Sequence, residues 1–305
     1  MTRVTIVEVG LRDGLQNESV MLSVDVKCRI AEGLIRAGVK EIEATSFVHP
    51  RWIPQMADAA ELASRLPRGR DVRYRALIPN VKGLERALTT PIDEYAVFLS
   101  ASETHNRKNI NKSIDETYPV LAEVVERAQA AGKRVRGYVS TVFGCPYEGD
   151  VPVSQVVRVC ERLLEMGVYE ISLGDTIGVA TPKKVKETLE VLLRHIPAER
   201  LAGHYHDTRG TALINAYVSL EMGIRTLDSA FGGLGGCPYA PGASGNVATE
   251  DLVYFLEQEG IETGIDLEAL CRVSIDVQKE MGRPLSSKVL QSVIAEWSSA
   301  GKGEA

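Results

Sequence analysis

His204-Tyr205-His206-Asp207 is the segment of this chain best suited to chemistry. Alternate residues of a strand project to the same side, so the two imidazoles can face one point. A metal ion needs that, together with oxygen ligands from elsewhere. Taken alone, an H-x-H pair reads better as one packed and one surface histidine than as a metal site. Its place at the end of an apolar run, with Asp207 following, favours the metal. Asp13, in Leu11-Arg12-Asp13-Gly14, offers an anionic oxygen and Asn246 a neutral one, although Asp-Gly is also a common turn pair. Two imidazoles and two oxygens, with no thiolate, suit Mg²⁺ or Mn²⁺; Zn²⁺ could bind the same set. Arg12 adjoins Asp13 and is expected to project differently, offering donors to a developing oxyanion. An ion pair with Glu43 would be structural and could hold the same arginine in place. Cys237 lies between glycines in Gly232-Gly233-Leu234-Gly235-Gly236-Cys237-Pro238. A thiol there can close over a ligand and act as acid or base; otherwise it is an inert small apolar group.

These residues are far apart in sequence, so the elements must bring them together. Short β-rich runs stand at Val4–Val9, Glu41–Thr45, Val72–Ile78, Glu94–Leu99, Val135–Val142, Tyr169–Leu173, Leu201–Tyr205 and Thr226–Ala230. Helical spacing of apolar residues marks Val24–Ala37, Thr117–Ala131, Val153–Met166, Pro182–His195 and Ala212–Met222. Gly38, Gly132, Gly167 and Gly223 are placed to cap helices in the left-handed region. Eight strands alternating with helices imply a parallel sheet with right-handed crossovers. No G-x-G-x-x-G follows the first strand, which favours a closed (β/α)₈ TIM barrel over an open doubly wound sheet. The tail from Asp266 predicts one or two further helices packed on the barrel. No Pro/Ser-rich linker divides the chain, so residues 1–305 are expected to form a single domain, with C-terminal helices over about 266–305. A barrel gathers its functional groups on the loops after the carboxyl ends of its strands. Arg12-Asp13, Glu43, Asp175, His204, His206, Cys237, Asn246 and Glu250 all fall at or just after such ends.

Bulk properties narrow the partners. The 305 residues are 44% hydrophobic and 25% charged, ordinary for one large α/β domain. A net charge of −6 with no basic stripe argues against nucleic acid. Arg107, Lys108 and Lys112 form a local cluster, either a solvated helix entrance or a site for a phosphate-bearing ligand. The cysteine count of five is odd, with no C-x-x-C spacing, and predicts reduced thiols. The opening MTRVTIVEVG enters an apolar strand almost at once, leaving no room for a targeting peptide, and no apolar run approaches a membrane span. A cytoplasmic protein is expected.

The stretch Val7-Glu8-Val9-Gly10-Leu11-Arg12-Asp13-Gly14-Leu15-Gln16-Asn17-Glu18 resembles the opening motif of hydroxymethylglutaryl-CoA lyases. Gly235 to Asn246 is similar to their signature loop, with Cys237 its narrowest discriminator, and the likeness continues through Lys108-Asn109-Ile110-Asn111 and Thr249-Glu250-Asp251-Leu252. The arginine–aspartate pair is shared with a wider metallolyase group that includes isopropylmalate synthase. The resemblance implies a divalent cation held by Asp13, His204, His206 and Asn246. It implies catalytic roles for Arg12, Asp175, His204, Cys237 and Glu250, with Glu43 in support. Acyl-CoA substrate contacts are implied at Arg12, Gln16, Lys108, Asn109 and Asn111. The reaction implied is cleavage of 3-hydroxy-3-methylglutaryl-CoA to acetyl-CoA and acetoacetate, with Asp175 or His204 as base and Cys237, assisted by Glu250, as proton donor. A lyase for a longer acyl-CoA, a condensing synthase and, more remotely, a non-catalytic metal-binding scaffold are the alternatives. A homodimer is expected from the apolar outer helices and tail. No lysine ends strand six to form a Schiff base, and no G-x-S-x-G elbow supports a serine hydrolase.

Overall fold

A computed structural model describes residues 3–69, 71–236 and 245–299. Eight parallel strands close on themselves in sequence order: β1 (Thr5–Glu8), β2 (Glu41–Ser46), β3 (Arg73–Leu77), β4 (Glu94–Ser100), β5 (Arg134–Ser140), β6 (Ile171–Asp175), β7 (Leu201–Tyr205) and β8 (Thr226–Ser229). β8 returns to β1 with Val7 level with Asp228, which completes the barrel. All eight expected strands are present, with ends that differ by at most two residues and β7 unchanged.

The helices on the outside are α1 (Val24–Arg36), α2 (Ala59–Arg65), α3 (Val81–Leu88), α4 (Glu103–Ile110), α5 (Ile114–Ala130), α6 (Val153–Glu165), α7 (Pro182–Leu192), α8 (Ala212–Glu221) and α9 (Thr249–Gln258). Side chains cap several of them at the N-terminus: Ser23 accepts from Val26 N, Asn80 from Gly83 N, and Ser113 forms a reciprocal box with Glu116. Gly38 ends the first helical segment at φ +92°, and its absent Cβ would lie 2.3 Å from the Gly264 carbonyl oxygen, so only glycine fits. The tail forms two helices, α10 (Leu267–Met281) and α11 (Lys288–Ser299), packed on α1 and α9. Asp251 on α9 accepts hydrogen bonds from Ser287 Oγ, Lys288 N and Val289 N, fixing the start of α11. Among the described residues no helix is long and apolar enough to cross a membrane.

Apolar side chains fill the space between strands and helices, but the barrel interior is largely ionic. Arg75 Nη2 lies 2.7 Å from Glu94 and 3.3 Å from Glu41. Above them the fully buried Arg136 donates to Glu170 at 2.6 Å and to Asp228 at 2.9 Å. Burying charge is costly unless it is paired and hydrogen-bonded; here each ion is paired, and of the Arg75 nitrogens only Nη2 is hydrogen-bonded among the described residues.

Candidate metal centre and active site

β1 runs into a π-helical turn, Gly10–Gly14, which presents Arg12 and Asp13 at the carboxyl mouth of the barrel. β7 ends at the same mouth with His204, and His206 follows it. After the glycine-rich stretch the chain pairs again with this end: Asp207 N donates to Gly245 O and Val247 N to Tyr205 O, which sets Asn246 beside His206. Thus a residue from the turn after the first strand and three from the last third of the chain converge.

The convergence is close. His204 Nε2 and His206 Nε2 face each other at 3.2 Å, and Asp13 Oδ2 is 3.9 Å from both. Ligands at right angles about 2.1 Å from one small divalent ion are roughly 3.0 Å apart, so the imidazole pair has the spacing an ion requires. Asp13, His204 and His206 are all buried and offer ligand atoms within 4.8 Å of one another. Asn246 Nδ2 donates to Asp13 Oδ2 at 2.8 Å and to Leu234 O, while its Oδ1 is buried without a hydrogen-bond partner among the described residues. A carbonyl oxygen left in that condition is costly in the absence of a ligand. Burial opposes ionisation of Asp13, yet Arg12 and the two histidines outweigh it and hold the carboxyl at about 2. Burial, helped by His204, lowers His206 to about 4, which leaves a neutral imidazole able to coordinate. The residues fit a divalent cation.

Arg12 does not project away from Asp13 as expected. Its long side chain bends to bridge two carboxylates, with Nη1 2.6 Å from Asp13 Oδ1 and Nε and Nη2 2.9 and 2.8 Å from Glu43 Oε2. Tyr138 donates to the same Glu43 oxygen at 3.0 Å and accepts from Arg136 Nη1 at 3.0 Å. The chain Arg136–Tyr138–Glu43–Arg12–Asp13 therefore links the barrel interior to the mouth. Burial works against the Arg12 charge, and Glu43 and Asp13 more than compensate, so the guanidinium stays ionised.

A cavity opens over this cluster. It is lined by the polar Arg12, Asp13, Gln16, Asn109, His204 and His206 and by the apolar Val48, Ile53, Leu77 and Phe98, among others. Gln16 donates to Asp13 Oδ1 at 2.9 Å. Lys108 and Asn111 do not line the cavity: Lys108 lies over the Tyr147 ring, and Asn111 is exposed in the left-handed conformation that ends α4. Asp175 is buried at the end of β6 between the lining residues Gly174 and Thr176. Its oxygens accept from Val179 N and Ala180 N, and burial nevertheless raises its pKa from the ordinary aspartate value.

Glu250 is not brought to the mouth. Its carboxylate accepts from Gly232 N at 3.0 and 2.9 Å and from Ser274 Oγ, behind the barrel between α9 and α10. It anchors the chain where the glycine-rich stretch begins, which is a positioning task. Cys237 lies outside the described residues. The other four cysteines are free thiols. Sequence reasoning passed over Tyr138, Arg136 and Asp228. The signal was available in polar residues two apart on strands, Arg134-x-Arg136-x-Tyr138 and Glu41-x-Glu43, which place charges on the inner face.

A parallel eight-stranded barrel with an aspartate, two histidines and an asparagine at its mouth defines a metal-binding barrel protein, and the chain belongs to the HMGL-like family, whose model matches residues 3–277. Within it, the chain is similar to the hydroxymethylglutaryl-CoA lyase YngG of Bacillus subtilis, 54% identical over 95% of this chain and 97% of that one. Among solved structures it is similar to hydroxymethylglutaryl-CoA lyase from Pseudomonas aeruginosa, with a TM-score of 0.95, 46% identity and coverage of 97% and 98% of the two chains. It also resembles an HMG-CoA lyase from Acinetobacter baumannii in complex with coenzyme A and 3-methylmalate, with a TM-score of 0.91, 40% identity and 95% coverage of each chain.

Proposed function

We propose that this chain cleaves 3-hydroxy-3-methylglutaryl-CoA to acetyl-CoA and acetoacetate, using Mg²⁺ or Mn²⁺ held by Asp13, His204, His206 and Asn246. The meeting of those four side chains beside Arg12 carries the reading, and near-full-length likeness to hydroxymethylglutaryl-CoA lyases supports it. When bound, the cation supplies Lewis acidity toward the tertiary hydroxyl and carboxylate oxygens of the substrate.

The protein's own groups do the rest. Asp175 or His204 takes the hydroxyl proton: burial raises the affinity of Asp175 for one while its oxygens hold Val179 N and Ala180 N, and His204 stands in the cluster itself with its other nitrogen toward Asp228. The bond between C2 and C3 then breaks, its electrons passing into the thioester enolate as the hydroxyl carbon becomes the ketone of acetoacetate. Of the five N–H groups of a guanidinium, Arg12 has, among the described residues, three committed to Glu43 and Asp13. The other two are available for the enolate oxygen, where charge appears mainly in the transition state. Cys237 returns a proton to C2, and Glu250 serves it by anchoring Gly232. Gln16 and Asn109 contact the acyl-CoA, and Lys108 and Asn111 reach its more distant part outside the cavity. The proposal includes a cytoplasmic homodimer folded as one domain per chain.

Chelator treatment tests it. Acetoacetate release from hydroxymethylglutaryl-CoA should stop with EDTA and return with Mg²⁺ or Mn²⁺. Turnover indifferent to chelation, or confined to longer homologues, would refute it.

A further inference from the structure

His204 and His206 look equivalent in sequence, but their outer nitrogens meet different surroundings. His204 stands level with Asp228 in the β7–β8 register, and its Nδ1 is 3.2 Å from Asp228 Oδ2. The same oxygen accepts from Ser172 Oγ at 2.7 Å and Arg136 Nη1 at 3.2 Å, and Oδ1 accepts from Arg136 Nη2 at 2.9 Å. Arg136 is itself fixed by Glu170 and Tyr138. His206 Nδ1, by contrast, is buried with no hydrogen-bond partner among the described residues.

We propose that Asp228 is a positioning residue that sets the tautomer of His204, keeping the proton on Nδ1 and the Nε2 lone pair turned toward Asp13 and His206. The proposal rests on the reading that His204 holds the cation. A carboxylate paired with Arg136 accepts hydrogen bonds and has none to give, so the hydrogen between it and the imidazole belongs to Nδ1. Nε2 is then free to coordinate before any ion arrives. A carboxylate behind a metal-bound histidine fixes ring and tautomer in this way and raises the basicity of the ligand. With no such support, His206 takes its tautomer from the ion. The two histidines are thus unequal, one preset and one adaptive.

The tautomer can be read directly in the ¹⁵N-labelled wild-type apo chain by long-range ¹H–¹⁵N correlation, with the His204 ring assigned by loss of its signals in His204→Gln. Nδ1–H at His204 is expected, and Nε2–H would overturn the proposal. In Asp228→Asn the amide nitrogen must face either Arg136, donor against donor, or His204 Nδ1, where it favours the proton on Nε2. Folded Asp228→Asn should lose the Nδ1–H signature and bind Mn²⁺ roughly 10- to 100-fold more weakly. Ser172→Ala keeps the charge and should keep the tautomer, with affinity within a few-fold of wild type. Wild-type Mn²⁺ affinity in folded Asp228→Asn would overturn the inference while leaving the cation site standing. If that variant does not fold, the wild-type tautomer and Ser172→Ala still decide the matter. A wild-type chain that binds no Mn²⁺ would refute the cation reading and this inference together.

Discussion

Arg12 shows why residue type matters at this mouth. A planar fork bridges Glu43 and Asp13 and, among the described residues, still has two N–H groups to offer, whereas a lysine ammonium is a point charge on a flexible stem. Arg12→Lys should therefore retain the charge and the cation while losing the aimed donors. The expected result is a fall in kcat of about 10²- to 10³-fold, the range seen for loss of one oxyanion donor, with Mn²⁺ affinity little changed by titration. A large rise in KM at constant kcat would instead mean that Arg12 only binds substrate. That Asp13, His204 and His206 come together was legible at this scale, because an aspartate after one strand and histidines two apart on another meet once the strand ends share a mouth. Roles that depend on direction were not legible. The resemblance implies help from Glu250 in proton transfer, yet its carboxylate points at Gly232 N and Ser274.

Elements decide those directions. The strands were legible as short β-rich runs, although in β2, β3 and β5 apolar residues alternate with charged ones. The short helices α2, α3 and α4 were not delimited, since seven or eight residues give too few turns to establish a period. Gly235 illustrates a backbone requirement: at φ +124° its absent Cβ would lie 2.6 Å from Asn246 Nδ2. Gly235→Ala should push the Asn246 amide aside and weaken Mn²⁺ binding at least by the roughly 10-fold typical of a lost outer partner; unchanged binding would free Asn246 from the ligand set. Behind the same stretch, burial raises Glu8 to about 8 and Glu250 to about 7, from an ordinary 4.5. Glu8 holds Gly10 N and Phe231 N, as Glu250 holds Gly232 N. A carboxyl whose folded pKa is raised binds its proton more tightly in the native state, so the stability it contributes is complete below about pH 4.5 and is lost as pH rises through 7 and 8. Thermal melts of Glu250→Gln between pH 5 and 8 should fall less steeply than those of wild type. Parallel slopes would show that Glu250 does not carry this dependence.

Across the whole molecule, one ionic column ties the barrel interior to its mouth. Arg136 is the common root: through Tyr138, Glu43 and Arg12 it reaches Asp13, and through Asp228 it reaches His204. Both branches end on the same cluster, so the distance between Asp13 and the histidines is set by a hydrogen-bonded ionic interior as well as by the loops that carry Asp13 and His206. Residue alternation in β5 carried this information, but only closure of β8 against β1 shows that Asp228 and Arg136 meet across the barrel. The most direct measurement is pulsed electron spin resonance on the chain loaded with one equivalent of Mn²⁺. Echo modulation from two imidazole nitrogens is predicted, falling to one nitrogen in His206→Ala. Mn²⁺ bound without imidazole coupling would contradict a cation centred on Asp13, His204, His206 and Asn246.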